Sequence, residues 1–137
     1  MSYKNTTFIR VRYGETDQMG YVYYGNYALY YEVGRVEALR ALGTSYKDLE
    51  AQGILLPVLN VSSFYHWAAR YDDLLEVITY VDSVPGARIV FRYEIYNEAK
   101  KLIHTASVTL VFVSALTQKP TKCPENIRLA LEKLINC

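Results

Sequence analysis

Apolar and polar positions alternate at the start of the chain and then change period. In residues 6–13, Thr-Thr-Phe-Ile-Arg-Val-Arg-Tyr, a strand places Ile9, Val11 and Tyr13 on one face and Arg10 and Arg12 on the other. A loop rich in turn formers follows at 14–20. From about Asn26 to Leu42 the spacing becomes helical, with Leu29, Val33, Val36 and Leu39 or Arg40 recurring at steps near 3.6. Asn26 can cap this helix and Gly43 can end it. Gly34, inside the helix, costs about 1 kcal/mol relative to Ala; a close approach of the helix backbone to a sheet would compensate. Thr44 to Gly53 reads as a short helical turn or loop.

After Pro57 the chain is β-like, with runs at 58–67, 74–83, 88–96 and 102–114. The third is the cleanest two-faced strand, Ile89, Phe91, Tyr93 and Ile95 alternating with Arg88, Arg92 and Glu94. In the fourth, Leu102, His104, Ala106, Val108, Leu110 and Phe112 alternate with Thr105, Ser107 and Thr109. Pro124 and Glu125 open a C-terminal helix carrying Ile127, Leu131 and Leu134. The expected fold is α+β: one strand, one long helix, four strands in an antiparallel meander and a short helix. Residues 1–137 read as one domain, a curved sheet of about five strands covering the long helix. Exposed sheet edges, and outer-face residues such as Val90 and Tyr96, point to association between copies.

Half of the residues are apolar, one-fifth are charged and the formal net charge is +1. No block of Lys or Arg marks a nucleic-acid partner. No apolar run reaches the roughly 18 residues of a membrane span, and the first residues lack a signal-peptide core, so a cytoplasmic location is expected. Cys123 and Cys137 have no metal-ligand spacing and read as free thiols. Fourteen tyrosines, most of them before residue 72, suit interfaces and half-wet clefts, or simply sheet propensity.

The chemistry concentrates in Asp17-Gln18-Met19-Gly20-Tyr21-Val22-Tyr23-Tyr24-Gly25-Asn26-Tyr27. One carboxylate sits in a loop just before a helix whose first free N–H groups form an anion site. A carboxylate beside oriented donors is a minimal acyl-transfer device: the donors hold the oxyanion and the carboxylate attacks or activates water. From spacing alone, Asp17 reads first as a turn or cap residue rather than a catalyst, with Gly20 and Gly25 as turn glycines.

This stretch resembles the signature of the 4-hydroxybenzoyl-CoA thioesterase family, through Asp17, Gly20, Val22, Tyr24 and Asn26-Tyr27. The resemblance continues at Tyr31, Glu32, Arg35 and Gly43 and returns at Ala69-Arg70-Tyr71-Asp72-Asp73. It implies the hotdog fold, a curved antiparallel sheet wrapped around one long central helix. It implies an acyl-CoA thioesterase that takes a small acyl- or aroyl-CoA and needs no cofactor or metal. Asp17 would be nucleophile or general base, and the backbone N–H of Tyr24 would polarise the thioester carbonyl. Gly20, Val22, Gly25, Asn26 and Tyr27 would bind substrate in a groove between subunits of a homodimer or homotetramer. A bacterial branch linked with the Tol–Pal system usually has His one position after this tyrosine; Gly25 departs from it.

Other polar groups read more plainly. His66 and His104 read as satisfied strand histidines, Glu32 and Arg35 as a helix pair or an anchor for the loop, Asp72 and Asp73 as a strand-opening turn, and Lys100-Lys101 as a solvated hairpin turn or a phosphate contact. Three other functions fit the same pattern: an acyl-carrier-protein thioesterase, a non-catalytic acyl-CoA-binding protein, and a dehydratase or isomerase. The last generally needs a histidine, and no His lies near the loop in sequence.

Overall fold

The computed structural model describes residues 1–136. The elements are β1 (Tyr3–Arg10), α1 (Tyr27–Ala41), α2 (Tyr46–Ala51), β2 (Ile54–Leu55), β3 (Val58–Tyr65), β4 (Leu74–Val81), β5 (Arg88–Tyr96), β6 (Leu102–Val111), β7 (Val113–Ser114) and α3 (Glu125–Ile135). Five strands form one antiparallel sheet in the order β1-β4-β5-β6-β3, and β2 and β7 make a separate short ladder. This is the α+β hotdog arrangement, with α1 packed against one face of the sheet. No helix among the described residues is long and apolar enough to cross a membrane.

The expected four-stranded meander is corrected. Only β4, β5 and β6 form one; β3 pairs with β6 at the far edge, and β1 takes the place beside β4. The connection 66–73 cannot close a hairpin because its backbone is engaged elsewhere. Val22 donates to Ala69 O, Asp72 donates to Val11 O, and Tyr21 bridges to Arg70. The first strand also begins earlier than its alternation suggests and stops at Arg10; Tyr13 lies in a 3-10 turn, Tyr13–Glu15, and is exposed.

The buried face of α1 is not the expected stripe. Leu29 and Val33 are exposed, whereas Tyr27, Tyr30, Tyr31, Gly34, Arg35, Ala38 and Leu39 are buried. The tyrosine rings supply the apolar surface, and the small residues let the helix approach the sheet. A Cβ on Gly34 would stand 2.6 Å from Thr79 Oγ1 and 3.2 Å from both Val77 Cγ1 and Tyr93 Cε1. Tyr3 Oη donates to Ala38 O at 2.7 Å and ties β1 to the same helix. Gly43, at φ 91°, ends α1: its N–H reaches Arg40 O and the Thr44 N–H reaches Leu39 O, a Schellman closure.

At the other end, Asn26 precedes α1 in αR conformation without a side-chain cap, contrary to its expected capping role. A short 3-10 turn, Tyr24–Asn26, leads into the helix instead. In α3 the buried residues are Ile127, Leu131 and Ile135; Leu134 is exposed, one position off the expected stripe. Cys123 is free and buried, and burial pushes its thiol up to about 11. The expectation for Cys137 lies outside the described residues.

Candidate active site

The segment between β1 and α1 is held by one carboxylate that sequence reasoning missed. Glu15 accepts from the Arg12 backbone N–H at 2.8 Å, from the Tyr30 hydroxyl at 2.9 Å and from the Arg12 guanidinium at 3.1 and 3.2 Å. Its backbone carbonyl accepts from Tyr23 N at 2.9 Å and from Asn26 Nδ2 at 2.8 Å. Burial pushes the Glu15 carboxyl up, but these donors outweigh it and hold the carboxyl below its usual value. Glu15 therefore fixes both ends of the loop against α1. Its only sequence signal is an acid three residues after Arg12 in a short turn. The expected Glu32–Arg35 pair does not form; Arg35 Nε donates to Tyr46 Oη at 2.6 Å.

Within this loop Asp17 closes a tight turn. Gly20 N–H donates to Asp17 O at 2.9 Å, and the Asp17 N–H donates to Tyr21 O at 2.8 Å. Asp17 Oδ1 accepts from Met19 N at 2.9 Å and Tyr21 N at 3.3 Å. Its Oδ2 has no partner among the described residues. One oxygen of Asp17 thus orders the turn, as the turn reading expects, and the other is unengaged among the described residues. Gly20, at φ 81°, is in the left-handed region that the turn requires.

Asp17 opens on a cleft of about 310 Å³. Val22, Tyr24 and Tyr27 line it from the loop and helix start, and Tyr65, His66 and Trp67 from the end of β3. Gly20, Gly25 and Asn26 do not line it; they shape the turn and anchor the helix start. The Asn26 N–H closes the 3-10 turn onto Tyr23 O. That leaves the Tyr24 and Gly25 N–H groups as the turn's unpaired first donors among the described residues. The Tyr23 ring lies over Gly25, and a Cβ there would meet Tyr23 Cε2 at 2.8 Å. A histidine at this position would require the ring to move.

The absence of a histidine near the loop holds only along the sequence; in space His66 lines the same cleft, its Nε2 3.1 Å from Thr105 Oγ1. The two histidines are near neighbours, because Tyr65 pairs with His104 across β3 and β6. His104 is fully buried, bonds through Nε2 to the Tyr31 hydroxyl, and is pushed down to about 4 by burial and by the nearby His66. Two cations flank the cleft. The Arg70 guanidinium carbon sits 4.8 Å from the Tyr21 ring centre, and the Lys101 ammonium lies 3.1 Å from that of Trp67.

Residues 19–104 match the family described as the thioesterase superfamily. The chain belongs to that superfamily. Asp17 lies two residues ahead of the matched segment. The chain is 38% identical over 112 residues to a putative acyl-CoA thioesterase, YneP, of Bacillus subtilis, covering 82% of this chain and 81% of that protein. It is 36% identical over 127 residues to the acyl-CoA thioester hydrolase YbgC of Escherichia coli, covering 90% and 95%. Among solved structures, the DHNA-CoA thioesterase of Staphylococcus aureus superposes with a TM-score of 0.91 at 36% identity, over 96% of this chain and 90% of that one.

Proposed function

We propose that this chain is a hotdog thioesterase that hydrolyses a small acyl- or aroyl-CoA to free acid and CoA, with Asp17 as the reacting carboxylate. The observation that carries the reading is the meeting of Asp17 and the Tyr24 turn at one aromatic-lined cleft. The thioester carbonyl would accept from the Tyr24 N–H. Asp17 Oδ2 would then attack the carbonyl carbon or take a proton from an attacking water. In either route the carbonyl oxygen gains negative charge, which the turn donors stabilise. The C–S bond then breaks; in the general-base route this yields the acid directly, and in the nucleophilic route a water then hydrolyses the acyl-aspartyl anhydride, releasing the acid and restoring the Asp17 carboxylate. The leaving thiolate has a pKa near that of a Cys thiol, about 8.5, so it departs without strong acid help. Arg70 and Lys101, at the rim, are suited to the phosphates of the CoA tail.

Residues 1–137 would act as a single domain in a homodimer. β3 is an edge strand with Leu59, Val61, Phe64 and Tyr65 exposed, and its end builds the cleft. A second copy covering that edge would remove a pairing liability and wall the cleft. A free, buried Cys123 suits the reducing cytoplasm.

The test is free-thiol release from a panel of acyl-CoA esters, benzoyl to palmitoyl, by the purified protein. Turnover of at least one member is expected. Binding of CoA esters with no turnover across the panel would overturn the reading.

A further inference from the structure

The inner end of the cleft is closed by a stack of rings that the reaction does not use. Tyr27 lines the cleft but is only 3% exposed, and its ring lies parallel on His104 at 4.1 Å and 7°. Tyr65, from the opposite wall, meets both edge-on, at 5.4 Å and 4.8 Å. Behind His104, Tyr31 stacks on Tyr93 at 5.0 Å. The path inward from Asp17 therefore runs into successive flat rings. The cleft volume, about 310 Å³, is at the lower end of small-molecule pockets, roughly 300–1,000 Å³.

His104 is an expensive way to fill a core position. Its Nδ1 is buried with no partner among the described residues. A leucine would leave no such orphan. What the imidazole adds is a flat ring whose plane is pinned at its edge, because Nε2 bonds the Tyr31 hydroxyl and that hydroxyl meets Ser63 Oγ at 2.7 Å. The pinned ring gives Tyr27 a fixed face to rest on.

Building on the thioesterase reading, we propose that the Tyr27–His104 stack is the floor that limits acyl length. Tyr27 is the specificity-determining contact and His104 the positioning residue behind it, admitting compact flat acyl groups such as benzoyl and rejecting long alkyl chains. One methylene against a fitted pocket is worth about 10–200-fold, so a rigid floor met by many methylenes discriminates strongly.

The test compares kcat/KM for benzoyl-CoA and palmitoyl-CoA in the wild type and in Tyr27→Ala, Tyr27→Leu, His104→Ala and His104→Phe. The wild type should favour benzoyl by roughly 100-fold or more. The palmitoyl-to-benzoyl ratio should rise at least ~10-fold in Tyr27→Ala and His104→Ala. His104→Phe, which keeps a flat ring but loses the bond to Tyr31, should give a ratio between the wild type and His104→Ala. If Tyr27→Ala fails to fold, the milder Tyr27→Leu carries the same expectation. Equal wild-type use of both esters, or a ratio unmoved in the Tyr27 and His104→Ala variants, overturns the floor; His104→Phe behaving like His104→Ala overturns the stacking role. Titrating Asp17→Asn with the same two esters separates this from failure of the thioesterase reading. Tighter benzoyl than palmitoyl binding supports the floor even without wild-type turnover, and equal binding rejects it.

Discussion

Two backbone N–H groups hold Asp17 Oδ1, so the side chain is aimed before substrate arrives. The proposed oxyanion donor is also backbone, which sets a specific test. Tyr24→Pro deletes that N–H at a position where proline fits. Tyr24 opens a 3-10 turn, and Tyr23 before it is extended, at φ −60° and ψ 133°. The variant should fold and lose about 10²–10³ in kcat; unchanged kcat would remove the N–H from the chemistry. Glu15 supports this geometry from behind. Glu15→Ala should cost about 1–3 kcal/mol in chemical denaturation, because it strands the Tyr30 hydroxyl and the Arg12 N–H. Its folded pKa lies below the ordinary 4.5, so its contribution is present above that pH and is lost as pH falls through the folded value. The place of Asp17 in a loop ahead of the helix was legible because a spaced motif surrounds it. Glu15 was not, because its partners, Tyr30 and the Asn26 side chain, come from the next element.

The strands were legible as elements and their order was not. The alternation in 88–96 fixes the ends and both faces of β5, and the structure agrees residue by residue. Nothing in that alternation says that β3 crosses to β6. The decision rests on backbone bonds between 66–73 and the loop near Val11 and Val22, which no side-chain pattern records. For α1, apolar residues occur on two faces. Period alone selects Leu29 and Val33, whereas the packed face uses tyrosines, Gly34 and Ala38. Gly34 makes this distinction testable. On an exposed helix face Gly→Ala would stabilise by about 1 kcal/mol. Against Thr79, Val77 and Tyr93 it should instead destabilise by about 1–3 kcal/mol in urea unfolding. A stabilised Gly34→Ala protein would contradict the close helix–sheet approach.

At the scale of the whole molecule, the proposed edge pairing and the pH response both involve the same sheet. Val61→Lys places a charge on the exposed β3 edge; in sedimentation the wild type is expected as a dimer or larger and the variant as a monomer. A variant that still sediments as a dimer would show that another surface joins the subunits. His104 couples the core to pH. Unfolded, it takes a proton near 6.5; folded, only near 4. Stability should therefore fall as pH drops from 6.5 toward 4, with a slope approaching about 1.4 kcal/mol per pH unit from this group. His104→Phe should flatten that slope in denaturation series, and an unchanged slope would assign it to other groups. The most direct test of the chemistry is kcat/KM of Asp17→Asn for the best acyl-CoA ester, measured beside ester binding. Asparagine keeps an oxygen to accept from Met19 and Tyr21, so the turn and the cleft should persist. A fall of about 10²–10⁴-fold with binding retained is expected; wild-type turnover in that variant would contradict Asp17 as the reacting carboxylate.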